Sequence, residues 1–382
     1  MRPTEAPLFP MAQRLSPFVL DNQGRTVAAH RFREGPGHLI RSHSRYRAPA
    51  SMPPAATIPV PRCGVACVLL VLICFTAALP AAAQSPILQS RAGQEPITPI
   101  PAMPAQDPRR PLLGERLFTD RRLSRDNTHS CSSCHDIGTN GASANAHDVA
   151  PKGQPLPLNT PTVFNASLNF RLNWEGSFRS LEEHAARTLR NPAIMTSSAE
   201  EVVSKLRADP EAVRQFRDAY GREPDVAALL DAIASYERTL VTPGSRFDRW
   251  LAGEATAITT EELSGYQLFK SFGCIACHQG ANVGGNLFQR HGIFHPLGSV
   301  EPALVRVPSL RNVAATAPYF HDGSAATLSE AVRAMGIAQL DRVLTDQQIA
   351  AIVAFLETLT GTYHGQPIRA ASGGSSAATG QP

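Results

Sequence analysis

Apolar residues recur at helical spacing in two separate stretches of this chain, and both stretches show a similar order of elements. In the first stretch the spacing predicts helices over residues 111–118, 181–189, 199–220 and 225–241. Pro210 falls inside the third of these and is expected to divide it, because proline cannot donate an internal helix hydrogen bond. The first stretch therefore predicts about five helices in succession.

The second stretch begins with a helix that Thr259 opens and that continues through Phe269. Capping-box patterns at Thr327-x-x-Glu330 and Thr345-x-x-Gln348 predict two further helices. No run of alternating apolar and polar residues is long enough to predict a useful strand. The pattern as a whole predicts an all-α fold.

A short cysteine motif follows the first helix of each stretch. The two copies are Cys131-Ser-Ser-Cys134-His135 and Cys274-Ile-Ala-Cys277-His278. A C-x-x-C-H run is the attachment site of c-type haem, in which two thioethers hold the porphyrin and the histidine binds the iron. A thioredoxin-like redox pair or half of a zinc site does not need that histidine. We therefore expect two cytochrome c-like domains, 109–244 and 245–363, each with one covalently bound haem.

The other three of the seven cysteines, Cys63, Cys67 and Cys74, lie in one apolar run that follows Arg62 and ends at Ala81-Ala82-Ala83. A basic residue, an apolar run and an A-x-A site are typical of a secretory signal peptide. We assign the signal peptide to residues 52–83, with translation starting at Met52 and 1–51 as a non-native extension. A membrane anchor is the alternative, but the run is short for a span. Export predicts a periplasmic protein.

Residues 84–108 are rich in proline and predict an extended linker or arm, whereas the Gly/Ser/Ala-rich tail at 364–382 predicts disorder. Removing residues 1–83 changes the formal net charge from +4 to −2, because that segment holds nine arginines and three acidic residues. The basic pI of the whole chain therefore gives no reason to expect a nucleic-acid partner.

Candidate second ligands of the two irons can be sought among the remaining methionines and histidines. Met335 is the one methionine after His278, and it could equally be a core residue. For the first haem, His147 lies in a Gly/Asn/Pro-rich loop and His184 on a predicted helix. The spacing of these residues leaves both roles open.

The motifs resemble those of the bacterial dihaem cytochrome c peroxidases, in order, over nearly all of residues 112–361. Besides the haem motifs, the matching segments are Leu113-Gly114-Glu115-Arg116-Leu117-Phe118, Asn159-Thr160-Pro161-Thr162, Asn173-Trp174-Glu175-Gly176, Thr242-Pro243-Gly244-Ser245-Arg246-Phe247-Asp248, Val307-Pro308-Ser309-Leu310-Arg311-Asn312 and Ala317-Pro318-Tyr319-Phe320-His321-Asp322-Gly323.

The resemblance implies roles for several residues. Met335 matches the methionine ligand of the high-potential haem, and His147 matches the removable ligand of the peroxide-binding haem. Trp174 matches the tryptophan between the two haems. A calcium site between the domains is implied at Asn159, Thr316 and Pro318, whose oxygen atoms suit that cation.

The chain departs from the family at one catalytic position. The family has a glutamate before the methionine of an Asn-Pro-x-Glu-Met segment, where it acts as acid and base. Here the segment is Asn191-Pro192-Ala193-Ile194-Met195, and Ile194 cannot move a proton. His184 stands where the family usually has a pocket glutamine and can shuttle protons, ligate the iron, or be an exposed helix residue.

The resemblance implies a periplasmic peroxidase that reduces hydrogen peroxide to water. Its electron donor would be a small cytochrome c or a copper protein (cupredoxin), and the family is commonly dimeric, which implies a homodimer. A non-catalytic dihaem electron carrier is the first alternative, and Ile194 favours it. A protein-modifying dihaem oxidase similar to the methylamine dehydrogenase maturase is the second, although that family has tyrosine in place of Met335.

Overall fold

A computed structural model describes residues 18–20, 26–28, 93, 95–150, 153–297 and 304–371. The chain separates into two compact units, residues 1–79 and 80–382. The described part of the first unit is an antiparallel pair of strands, β1 (Phe18–Leu20) and β2 (Thr26–Ala28). The predicted signal peptide at 52–83 and its three cysteines lie outside the described residues.

The second unit begins with five helices that match the predicted order. They are α1 (Arg109–Phe118), α2 (Leu181–Arg190), α3 (Ala199–Arg207), α4 (Pro210–Tyr220) and α5 (Val226–Thr239). The division at Pro210 is confirmed: this proline is the first residue of α4, where its missing N–H costs no helix bond, and Asp209 caps the helix.

Four more helices follow in the same unit: α6 (Arg246–Leu251), α7 (Thr260–Ser271), α8 (Leu328–Leu340) and α9 (Asp346–Glu357). The capping boxes predicted at Thr327 and Thr345 are formed, each with both reciprocal hydrogen bonds, and Thr259, which was predicted to open α7, forms a third. Within the described residues no helix is long and apolar enough to cross a bilayer.

The helix before each cysteine motif packs tightly against a later helix. Gly114 places α1 against α5 so closely that a Cβ there would overlap the carbonyl of Ala232. Gly265 does the same for α7 and α9, where a Cβ would overlap the carbonyl of Ala351. The two stretches of sequence therefore build the same helix crossing, and the all-α prediction with two cytochrome c-like halves is confirmed.

Strands contribute little to the described part of this unit. β3 (Phe288–Arg290) pairs antiparallel with β4 (Leu304–Arg306), with Phe288 opposite Arg306. β5 (Thr362–Tyr363) pairs antiparallel with β6 (Gln366–Pro367). The loop that carries β3 and β4 returns beside the second cysteine motif, because the backbone N–H of Gly285 bonds to the carbonyl of Val307.

The proline-rich stretch predicted as a linker is anchored. Ile97 is buried in the second core beside Phe247 and Phe355. The Glu95 carboxylate accepts hydrogen bonds from the Tyr266 hydroxyl at 2.7 Å and the Lys270 ammonium at 3.0 Å. Residues 95–100 thus pack against the second half before the chain enters α1 of the first half.

The tail differs from its prediction at residues 364–371. Residues 364–367 belong to the β5–β6 hairpin, and residues 368–371 follow it. Ile368 is buried against Phe118 and Phe164 of the first half. Burial of this one apolar side chain supplies a contact that the glycine- and serine-rich composition of the tail does not predict. Residues 372–382 lie outside the described part of the chain.

Candidate haem sites

Both cysteine motifs adopt the same local structure. Each forms one 3₁₀ turn, over Cys131–Ser133 and over Cys274–Ala276. In both, the backbone N–H of the histidine bonds to the carbonyl of the first cysteine at 3.0 Å. The four thiols are free and partly buried. The turn holds two thiols and one imidazole together, as attachment of one porphyrin to each motif requires.

The motif histidines are neutral, which is the form that binds a metal ion. Burial lowers the pKa of His135, and burial lowers the pKa of His278 to about 4. Nδ1 of His135 lies 3.1 Å from the carbonyl oxygen of Gly141. A hydrogen bond from Nδ1 fixes the tautomer and leaves Nε2 for an iron.

A cavity of about 330 Å³ adjoins the second motif. Cys274, Cys277 and His278 line it, and so does Met335 from α8. Apolar side chains such as Ile352 and Leu356 form much of the remaining wall. A thioether-bound porphyrin fits this donor set, because thiols, imidazole and a soft methionine sulfur face one apolar space.

Three buried polar residues also line this cavity. Arg306, His291 and His321 lie there, each less than a tenth exposed. Both ring nitrogens of His291 and Nδ1 of His321 lack a hydrogen-bond partner among the described residues. Buried polar atoms are normally paired, and the propionate groups of a porphyrin would supply the missing partners. The second site therefore fits a haem through both its apolar and its polar lining residues.

Trp174 also lines this cavity and contacts both halves. Its indole N–H donates to the backbone carbonyl of Asn159 at 2.7 Å. Its ring meets the ring of His321 edge-on, with centroids 4.4 Å apart, and the Arg306 guanidinium carbon lies 5.7 Å from the indole centroid. The indole therefore connects a backbone group of the first half with two side chains of the second.

The three residues matched to a calcium site lie on the same cavity. Asn159, Thr316 and Pro318 all line it. The Asn159 amide nitrogen donates to the carbonyls of Asn145 and Ala146 at 2.9 Å and 3.3 Å. Its side-chain oxygen is therefore the atom left for a cation, and oxygen is the ligand type that calcium prefers.

The two histidines considered for the first haem occupy different environments. His184 is partly buried on α2, its ring centroid lies 5.4 Å from that of Phe178, and it is close enough to His135 for their charges to interact. Burial, with a smaller effect of His135, lowers the pKa of His184 to about 4. His147 lies in the loop before Asp148 with Nδ1 buried, and no described hydrogen bond or ring contact joins it to His135.

Ile194 packs with the first hydrophobic core, in the cluster that includes Cys131 and the buried Met195. Its side chain is apolar and has no group that transfers protons. The sequence reasoning did not single out His291, Arg306 or His321 as polar residues of the second site. His321 stood inside a matched motif, but burial of Arg306 had no local sequence signal.

The chain is similar to proteins of known family. A family model described as di-haem cytochrome c peroxidase matches residues 108–256, and one described as cytochrome c matches residues 263–360. A cytochrome c551 peroxidase of Nitrosomonas europaea is 41% identical over 288 residues, which are 71% of this chain and 85% of that protein. This chain belongs to the di-haem cytochrome c peroxidase family.

Two further relatives show the range of the similarity. The cytochrome c peroxidase Ccp of Escherichia coli is 37% identical, over 70% of this peroxidase and 62% of that longer protein. The crystal structure of a MauG-like protein associated with microbial copper homeostasis has a TM-score of 0.61 and 28% identity, covering 69% of this chain and 93% of that one. The peroxidase thus carries two c-type haems, one at each motif.

Proposed function

We propose that this peroxidase acts in the periplasm and reduces hydrogen peroxide at the first motif, with electrons from a small cytochrome c or a copper protein entering at the second. The single observation that carries the division of labour is the placement of Met335 and His278 on one cavity, with His184 beside His135. Two axial ligands suit electron transfer, whereas peroxide reduction needs an open position.

The haems supply the redox chemistry, and the side chains control access and protons. Met335 and His278 would hold the iron of the haem at the electron-entry site. Trp174, held by Asn159, conducts electrons from that site toward the first half. His147 would be the removable ligand of the first haem, and its departure would open that site. Its loop contacts the second half, since Gly323 approaches Ala146 so closely that a Cβ would meet it at 2.9 Å.

His184 takes the proton-transfer role that Ile194 cannot perform. Because burial keeps this imidazole neutral at pH 7, it can accept the proton of a bound peroxide and return it to the departing oxygen. Its position near His135 supports this assignment.

The test is stopped-flow oxidation of a reduced small cytochrome c by hydrogen peroxide. His184→Gln is expected to lower kcat/KM for peroxide by about 10²-fold, the lower range for loss of a general acid–base group. His295→Gln removes an exposed histidine that pairs with Asp341 and is the matched control, with activity unchanged. Adding Ile194→Glu to His184→Gln should recover part of the lost rate.

A wild-type rate no higher than that of a His135→Ala variant would overturn the peroxidase activity. A His184→Gln rate within twofold of wild type would overturn the role of His184 alone.

A non-catalytic electron carrier is the second candidate function, because Ile194 removes the usual proton donor. Carbon monoxide distinguishes the two: it binds the first haem of the half-reduced protein if that iron has an open position. Failure to bind it would favour the carrier.

Calcium and dimer formation are also part of the proposal. The free side-chain oxygen of Asn159 and the nearby Thr316 and Pro318 support a cation site that joins the two halves. The homodimer is proposed from the family resemblance.

A further inference from the structure

Two arginines near the second site are almost fully buried, and they differ in how they are paired. Arg311 is 2% exposed and forms an ion pair with Asp248 at 2.7 Å. It also donates to the carbonyls of Ala281 and Thr98 at 2.8 Å and 2.9 Å. Arg311 is therefore a structural ion pair whose charge is balanced within the protein.

Arg306 is 4% exposed and pairs with no described acidic residue. Its Nε donates to the carbonyl of Asn173 at 3.0 Å, and Nη1 donates weakly to the carbonyl of Val307 at 3.4 Å. No described group accepts from Nη2. The guanidinium thus has two carbonyl partners and no counter-charge in the described protein.

Burying the Arg306 guanidinium in this way is energetically unfavourable unless a negative charge lies beside it. An unpaired charge that moves from water into a protein interior loses its hydration, and this loss strongly destabilises the folded state. Burial lowers the pKa of Arg306 to about 10, so the side chain stays protonated at neutral pH. No acidic side chain among the described residues balances this charge, and a bound anionic group in the cavity would do so.

The location of Arg306 limits what that group can be. Arg306 lines the cavity that also exposes His278 and Met335, and it ends strand β4 beside Trp174. The backbone N–H of Arg306 donates to the carbonyl of Trp174 at 2.8 Å. A haem attached at the second motif brings two propionate carboxylates into this cavity, and guanidinium groups bind carboxylates through two parallel hydrogen bonds.

We propose that Arg306 binds one propionate carboxylate of the second haem and, by balancing its charge, holds the reduction potential of that haem high. Arg306 is a positioning residue: it fixes the porphyrin edge against Trp174 and neutralises a carboxylate that would otherwise favour the oxidised iron. This inference requires the second haem and does not depend on peroxidase turnover.

Spectroelectrochemical titration of the intact dihaem protein at pH 8 tests the proposal. Arg306→Gln is expected to lower the reduction equilibrium constant of the second haem at least tenfold, which is about 59 mV for one electron. Arg306→Lys keeps the charge and should give a smaller shift. Arg249→Gln removes an exposed arginine of the same half, paired with Glu254, and should give no shift.

Glu301→Gln is a further control, because this acid is near Arg306 in the chain but outside the described residues. If Glu301→Gln reproduces the shift of Arg306→Gln, the counter-charge is Glu301 and the proposal fails. A shift below tenfold in Arg306→Gln with both haems attached also overturns it.

Resonance Raman spectra provide a second readout if Arg306→Gln does not accumulate as holoprotein. The propionate bending mode of the second haem reports its hydrogen bonding, and it should move in Arg306→Lys because a two-pronged bond is replaced by a single donor. An unchanged mode in Arg306→Lys would contradict the pairing. Peroxidase assays on the same samples separate this result from the proposed function.

Discussion

Glu237 is a buried carboxyl group on α5 that faces the first haem attachment site. It is 9% exposed and forms no ion pair with a described basic residue. It lies close enough to Cys131 that its ionised form would raise the pKa of that thiol. Burial, with a further contribution from Glu182, raises the pKa of Glu237 to about 8. At neutral pH the folded protein therefore holds this side chain mainly in its protonated form.

The raised pKa predicts a pH-dependent stability. The folded protein binds the proton more tightly than the unfolded chain, so its stability decreases as pH rises from about 4.5 through about 8. The loss should be of the order of a few kcal/mol, since one pKa unit corresponds to about 1.4 kcal/mol. Guanidinium unfolding midpoints of the holoprotein at pH 5.5 and pH 8.5 measure it.

Glu237→Gln should remove most of this decrease, because glutamine is neutral at both pH values. Glu115→Gln changes an exposed carboxyl group of α1 and should keep the wild-type dependence. An equal decrease in the Glu237→Gln variant would show that another group is responsible.

At the scale of elements, local hydrogen bonds determine where the helices begin. Thr327 and Thr345 accept from the backbone N–H groups three residues later, at 3.2 Å in each case. Both boxes were predicted from sequence, because their four residues are consecutive and need no distant partner. α8 and α9 have matched caps, but only α8 carries Met335.

The matched caps predict a difference in haem ligation. Thr327→Ala and Thr345→Ala should each lower the free energy of unfolding by about 1 kcal/mol, the usual cost of losing an N-cap. Only Thr327→Ala should weaken the methionine-to-iron charge-transfer absorption band on warming, because Thr327 caps the helix that carries Met335. Thermal scans at that band and in far-UV circular dichroism measure both effects.

Equal weakening of the band in both variants would mean that general loss of stability, and not the end of α8, controls Met335. An unchanged band in both variants would contradict the prediction that the cap of α8 controls the binding of Met335 to the iron.

At the scale of the whole molecule, the two halves meet through polar residues on one cavity. Asn159 belongs to the first half, and Thr316 and Pro318 belong to the second. A cation at this position would join segments that are more than 150 residues apart in the chain. Trp174 donates to the Asn159 carbonyl, so the same segment also positions the indole.

Removal of calcium is therefore predicted to slow the response of the first site to reduction of the second. Chelator-treated, half-reduced protein should show less carbon monoxide binding, and added calcium should restore it, whereas magnesium should not because it prefers a smaller octahedral site. Asn159→Ala should resemble the chelated protein, and the exposed Asn286→Ala should resemble wild type. Insensitivity of wild type to the chelator would exclude a functional calcium here.

The amino-acid sequence by itself determined the haem motifs, the order of the helices and their caps, because each depends on residues within a few positions of one another. Thr259, Thr327 and Thr345 are examples. Only the tertiary structure decided where two isoleucines are buried. Ile97 precedes the first half in the chain but is buried in the second, and Ile368 follows the second half but is buried against the first.

Tertiary structure also decided that Arg306 is buried without an acidic partner in the described part of the chain, while Arg311 is paired. Both are arginines close to the Val307-Pro308 segment, and nothing local distinguishes them. Their difference arises from partners far away in the chain, Asp248 for one and the haem cavity for the other. Burial and charge balance are set by all the elements that surround a side chain, and local sequence does not record them.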